Sequence, residues 1–238
     1  MSATVYLVRH GEVAHHRTDI SLTARGQEQA RLAGSALARQ MADGDTVCVH
    51  YSPVTRVRET ADILYASLAA ALRAGNFSRV VLHPPQPDPA LHNVRFILEP
   101  GQQPEEPSLL YTQSNDPAYL QTRPPAQADF YRGFWASADH IGYWLSHDSG
   151  GGAETPTTVL ARVRARLGEI SALDGSHPTQ THWLMITHSG TMRTVLCEAL
   201  GTDPGEPDFC ETVILRPAAQ AGRVTLSYRG QAASLSIG

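Results

Sequence analysis

No stretch of this chain approaches the ~20 consecutive apolar residues that a membrane-spanning helix needs. Its start carries no basic segment followed by a signal-like apolar run, and reads at once as a strand. Cysteine is scarce: Cys48, Cys197 and Cys210 are an odd number, widely spaced and without a CxxC pair. That spacing argues against a disulfide framework and reads as buried, reduced thiols of a cytoplasmic protein. Eleven histidines are present, yet none falls in an HxH or HExxH spacing. His15-His16 is the only adjacent pair, and chain neighbours rarely chelate one ion, so neither a metal nor a cofactor is expected. Basic surplus is missing too. A formal charge of −4 gives no electrostatic reason for a nucleic-acid or anionic-membrane partner.

What is present suits a folded enzyme-sized unit. With 238 residues and 42% hydrophobic content, the chain can bury a full core as one domain, 1–238, with an elaboration. Strands are expected at Thr4 to Val8, Thr46 to His50, Arg79 to Leu82, His182 to Thr187 and Thr212 to Leu215, with an edge strand at Arg223 to Tyr228. Thr23 caps a helix with a stripe of Ala30, Ala33, Leu37 and Met41. A second helix spans Thr55 to Leu72. This alternation implies an α/β three-layer sandwich, with a mostly parallel central sheet and helices on both faces. His83 to Pro125, rich in proline and polar residues, reads as a loop. A single helix over about Ala126 to Leu145 follows it, with Phe130, Phe134, Ala138, Ile141 and Leu145 as its packing stripe. Together they form an inserted lid at about 84–150. Half of the chain's aromatics fall between Tyr111 and Trp144, as lid anchors or as lining of a substrate mouth.

The chemistry concentrates at strand ends. The first strand runs into Arg9-His10-Gly11-Glu12, so a cation and an imidazole meet at the carboxyl edge, where open α/β sheets place ligands. A neutral imidazole beside a guanidinium suits attack on an anionic electrophile, because the cation lowers the histidine pKa and attracts the anion. A phosphate ester is such an anion, and Gly11 would let the backbone approach it. After the second strand, Arg56 falls in the first turn of a helix, whose free N–H groups also attract anions. Arg58 lies on another face and reads as an exposed helix arginine. His188 stands at the end of a further strand, before a helix.

These segments resemble the histidine phosphatase superfamily, the group named after phosphoglycerate mutase. The likeness covers Leu7 to Ala30, Ser52 to Ala61, Gly152 to Arg162 and Leu184 to Gly201. It implies His10 as the nucleophile that becomes a phosphohistidine. Arg9, Arg56 and His188 would surround the phosphoryl oxygens, with the Ser189 N–H joining them. Phosphoryl transfer asks for little more than an in-line nucleophile and positive charge on those oxygens. Glu154 matches a glutamate that supports the site from behind, and His16 stands where many members carry a phosphate-touching asparagine.

One position departs from the pattern. Asn93, in Leu91-His92-Asn93, occupies the place where members carry the glutamate that acts as general acid. An asparagine cannot protonate a leaving alkoxide. The acid then comes from Asp88, Glu99, Glu105, Glu106 or His92, or the substrate has a leaving group that needs none, or turnover is weak. The expectation is a metal-independent phosphatase acting on a small-molecule phosphate ester or anhydride. A phosphoglycerate-type mutase is disfavoured by the short first loop and by Asn93. A phosphate-binding or regulatory protein on a disabled phosphatase rests on Asn93 alone. A homodimer is left open.

Overall fold

The computed structural model describes residues 3–173 and 179–237. Strand β1 (Thr4–Arg9) is buried along its whole length, as a strand covered on both faces must be. Its side chains alternate between two layers. Tyr6 and Val8 join the core under helices α1 (Ala24–Ala38) and α2 (Thr55–Ala74). Val5 and Leu7 join the core under α7 (Pro156–Leu173) and α8 (Ser189–Leu200).

The sheet runs β3 (Val81–Leu82), β2 (Thr46–Tyr51), β5 (Thr181–Thr187), β1, β6 (Thr212–Pro217), β7 (Arg223–Tyr228), β8 (Gln231–Ser236), with β4 (Gln86–Pro87) also on β2. Pairings β3–β2, β4–β2, β2–β5 and β5–β1 are parallel, and those from β1 through β8 are antiparallel. The expected sandwich with a mostly parallel core is therefore present, extended by an antiparallel flank. Thr23 caps α1 by accepting from the Gly26 N–H, as its position implied. β7 is not the edge strand. β8 covers it, in a segment whose small residues gave little strand signal.

The excursion is more ordered than its composition suggested. Between β4 and β5 lie a 3-10 turn (Pro89–Leu91) and helices α3 (Pro107–Ser114), α4 (Pro117–Gln121), α5 (Pro125–Ala136) and α6 (His140–Ser146), before α7. Prolines open α3, α4 and α5 at positions where the missing N–H costs nothing. The single helix expected over Ala126 to Leu145 is two. Asp139 caps α6 by accepting from the Gly142 N–H, and the break shifts the buried face. Ala138 is exposed, whereas Tyr131 and Trp144, off the expected stripe, are buried. These helices enclose a cluster separate from the sheet cores, built on Val94, Phe96, Phe130, Tyr131, Phe134 and Trp144. The ends of the excursion are pinned side by side: Phe96 bridges both Glu105 and Ala153, and the Glu154 N–H donates to the Arg95 carbonyl at 2.9 Å.

Candidate active site

The parallel register of β1 and β5 pairs Arg9 with Thr187. The next residue on each strand is a histidine, so His10 and His188 emerge together, their ring centroids 5.4 Å apart. β2 lies on the other side of β5 and delivers Ser52, then Arg56 in the first turn of α2. The first loop completes that turn: Asp19 accepts from the Thr55 N–H and hydroxyl, and lies 3.6 Å from Arg56 Nη1.

Hydrogen bonding fixes both imidazoles. His10 Nδ1 is 2.8 Å from the Gly11 carbonyl, which only accepts. Nδ1 therefore carries the proton and Nε2 keeps its lone pair. His188 Nδ1 lies 3.3 Å from Arg56 Nη2, which only donates. Its proton is therefore on Nε2, which donates to Ser52 Oγ at 2.9 Å. Burial first, then the charge of Arg56, hold both rings well below the usual histidine pKa, and Arg9 adds to this at His10. At neutral pH both are uncharged. His16 stacks obliquely at 5.7 Å from His10, and desolvation followed by Arg56 and Arg9 lowers its pKa too. The residue as a whole is exposed, so the arginine charges are the durable part of that shift.

The arginines hold unspent donors. Arg56 is 2% exposed, yet its Nε and Nη1 have no hydrogen-bond partner, and neither has buried Arg9 Nε. Buried donors are satisfied almost everywhere else in proteins, so three guanidinium nitrogens in this condition mark a place for anion oxygens. Arg9 is steadied by Phe209, whose ring lies 4.1 Å from its guanidinium carbon, and by Glu206 at 2.7 Å. Glu206 also accepts from Ser189 Oγ and from Arg193 Nη1, which in turn bonds Asp139 at the α5–α6 break.

Arg9, His10, His16, Arg56, Asn93, His188 and Ser189 all line one cavity of about 320 Å³. Two of the sequence candidates do not. Gly11 serves packing: a Cβ there would lie 2.6 Å from the Gly26 carbonyl oxygen, so its absence admits α1 and not a ligand. Glu154 lies behind the wall, pairing Arg95 at 2.7 Å and Arg162 at 3.3 Å. Arg162 donates to the His92 and Asn93 carbonyls, so Glu154 holds the Asn93 segment in place. Arg58 is exposed, as its helix face implied.

Of the acids the sequence offered as proton donors, Glu106, at the start of α3 and 3% exposed, lines the cavity, which Asp139 and Glu206 also border. Its Oε2 is 3.4 Å from Arg56 Nη2, and its Oε1 is 3.6 Å from His188 Nε2. It also accepts from the Asn93 N–H at 3.3 Å. Asp88, by contrast, pairs with Arg166, and Glu99 with Arg123, away from the site. Glu206, Ser52, Ser108 and His140 were not singled out from sequence. Only Ser52, beside the Arg56 motif, carried a local signal.

The model of the histidine phosphatase superfamily (branch 1) matches residues 5–75 and 126–229, which include every strand-end group above. The chain belongs to the histidine phosphatase superfamily. A curated relative is the mitochondrial serine/threonine-protein phosphatase Pgam5 of Caenorhabditis briggsae, 33% identical over 99 residues, or 42% of this chain and 34% of that protein. This superfamily member thus spans about a third of the length of that relative. Among solved structures, phosphoglycerate mutase from Bacillus anthracis matches with TM-score 0.57 at 17% identity, over 97% of this chain and 93% of the other. A mycobacterial glucosyl-3-phosphoglycerate phosphatase matches with TM-score 0.51 at 17% identity, over 90% of each chain. Those two likenesses speak to the fold. The superfamily chain keeps its strand-end histidines and arginines, while the family model passes over 76–125, where Glu106 and Ser108 lie.

Proposed function

We propose that this chain is a metal-independent phosphatase that hydrolyses small phosphate esters through a phosphohistidine on His10. The observation that carries this reading is the juxtaposition of a neutral His10, with its Nε2 lone pair free, and buried guanidinium donors without partners. His10 Nε2 attacks phosphorus, the P–N bond forms, and the bond to the leaving oxygen breaks in line with it. Arg9, Arg56 and the N–H groups opening α8 take up the charge on the phosphoryl oxygens, and His188 holds Arg56 beside them through Nδ1. Glu106 is the proton donor to the leaving alkoxide, in place of the asparagine at 93. Water then attacks the phosphohistidine, giving its proton to the Glu106 carboxylate and releasing inorganic phosphate and neutral His10.

Glu106 in the cavity favours an active enzyme over a purely binding protein, the reading that rests on Asn93. Three free thiols fit the reading of a reducing, cytoplasmic setting. Among the described residues no helix is long and apolar enough to cross a membrane. The test is phosphate release from p-nitrophenyl phosphate and benzyl phosphate without added metal, with acid-quenched trapping of the phosphoenzyme. Wild-type protein should turn over and label; His10→Ala should do neither while unfolding at the same temperature. Turnover retained by His10→Ala would remove the nucleophile assignment.

A further inference from the structure

Beyond the phosphoryl end, the cavity changes character. Phe134, Ala138 and Ile141 from the α5–α6 region and Pro107 from α3 make an apolar wall, continued by Trp135 and His140. Trp135 is held rigidly. Its Nε1 donates to Ser114 Oγ at 2.8 Å, and Tyr111 and Phe134 meet it edge-on at 4.9 and 5.0 Å. It is only half-buried and lines both this cavity and the adjoining hollow of Tyr111 and Arg17. His140 packs against Phe134 and Trp135, and burial lowers its pKa, so it presents an uncharged ring. A pre-oriented aromatic surface of this kind favours flat partners.

Two polar atoms interrupt this wall. Ser108 Oγ, in a residue 5% exposed, has no hydrogen-bond partner, and neither has buried Asn93 Oδ1. Both residues line the cavity, with Asn93 Oδ1 on its edge against Gly190 at the start of α8. An unpartnered hydroxyl and an unpartnered carbonyl oxygen ask for a ligand that hydrogen-bonds, above all one that donates. The remaining charges count against a second anion. Arg9 and Arg56 are the cavity's arginines and serve the phosphoryl group, while Glu106, Asp139 and Glu206 are its carboxylates. A carboxylate close to the ester would meet acids and no spare cation.

Resting on the phosphatase reading above, we propose that the substrate is the phosphate monoester of an uncharged alcohol carrying a flat ring. The ring lies along Trp135, Phe134 and His140, and a donor on the alcohol meets Asn93 Oδ1 and Ser108 Oγ. Small acids such as phosphoglycerates are excluded by the carboxylates, and the ring supplies the binding that a bare three-carbon alcohol cannot.

The test compares kcat/KM for substrates with unactivated leaving groups: benzyl phosphate, a nucleoside 5′-monophosphate, glycerol 3-phosphate and 3-phosphoglycerate, with a phosphoserine peptide alongside. The two ring-bearing small molecules should exceed glycerol 3-phosphate by about tenfold or more, with 3-phosphoglycerate lowest. Trp135→Ala should compress the ring-to-glycerol ratio through KM. Ser108→Ala, a smaller change for the fold, should narrow the nucleoside-to-benzyl ratio. Equal rates on glycerol 3-phosphate or 3-phosphoglycerate, or a clear preference for the peptide, would overturn the ring assignment and leave the phosphatase reading standing. Silence on all five, and on p-nitrophenyl phosphate, would overturn both.

Discussion

Replacing Glu106 by glutamine removes its proton transfers and spares its packing. Glutamine keeps the volume of a residue that is 3% exposed, and keeps an oxygen to accept from the Asn93 N–H at 3.3 Å. It removes the transferable proton from a side chain set 3.4 Å from Arg56. A positioned acid contributes ~10²–10⁴ in rate, which is about 3–5 kcal/mol of barrier at 1.36 kcal/mol per tenfold. That whole amount should be lost where the leaving oxygen is strongly basic, and little of it where the leaving group departs as a stable anion. Benzyl phosphate and p-nitrophenyl phosphate both carry a ring and differ in that respect. Kinetics of Glu106→Gln should show kcat/KM, which reports phosphoryl transfer to His10, reduced by ~10²–10⁴ on benzyl phosphate and by less than about tenfold on p-nitrophenyl phosphate, while kcat falls on both because hydrolysis of the shared phosphoenzyme loses its base. Equal losses on the two esters would mean that Glu106 shapes the phosphoryl site and does not deliver the proton. No loss on either would place the donor elsewhere.

Three further outcomes test other parts of the site. Glu206→Gln should tighten inhibition by inorganic phosphate at low ionic strength, since Glu206 lies 2.7 Å from Arg9; an unchanged inhibition constant would show that this pair does not restrain the site. His10 and His188 are held neutral in the fold, mainly by burial and then by Arg56, while in the unfolded chain such rings take up protons below about pH 6.5. The unfolded state then binds more protons, so stability should fall as pH drops from about 7 towards 5, and His188→Gln should flatten the slope of melting temperature on pH. An unchanged slope in that variant would show that His188 is protonated in the folded protein. Gly26→Ala should destabilise by about 3 kcal/mol or more, because its Cβ would sit 2.2 Å from the Glu12 carbonyl oxygen and 2.7 Å from the Glu12 nitrogen, backbone atoms with no flexible side chain to yield. A melting temperature within a degree or two of wild type would contradict this.

The parts legible in the sequence are those that local rules govern. β1 ends where its apolar run ends, so His10 and Arg9 could be placed at a strand edge without knowing the neighbours. His188 followed in the same way from β5. The α5–α6 break was hidden because Ser137-Ala138-Asp139 contains neither proline nor glycine, and apolar residues continue at helical spacing across it. Only the Asp139 cap reveals it. Glu106 stood among several candidates because its reach into the cavity depends on the Phe96–Glu105 bridge, a contact that no periodicity announces. Gly11 was legible as a residue that must be glycine. The reason was not, since the backbone that crowds it belongs to Gly26, fifteen positions on and in another element.

The pinned ends of the excursion have an evolutionary consequence. The excursion departs from and rejoins the rest of the chain at adjacent points, where the Ile97 N–H donates to the Gly152 carbonyl and Phe96 bridges Ala153. Everything between closes on its own apolar cluster. Such a segment can be lengthened, shortened or exchanged as a cassette at little cost to loop closure, while Arg9, His10, Arg56 and His188 remain on the scaffold. On the proposed phosphatase reading, one strand-end site can thus be refitted to new leaving groups by recombination at two neighbouring seams. A chimera that transplants residues 94–153 should inherit the donor's substrate preference and keep the recipient's nucleophile.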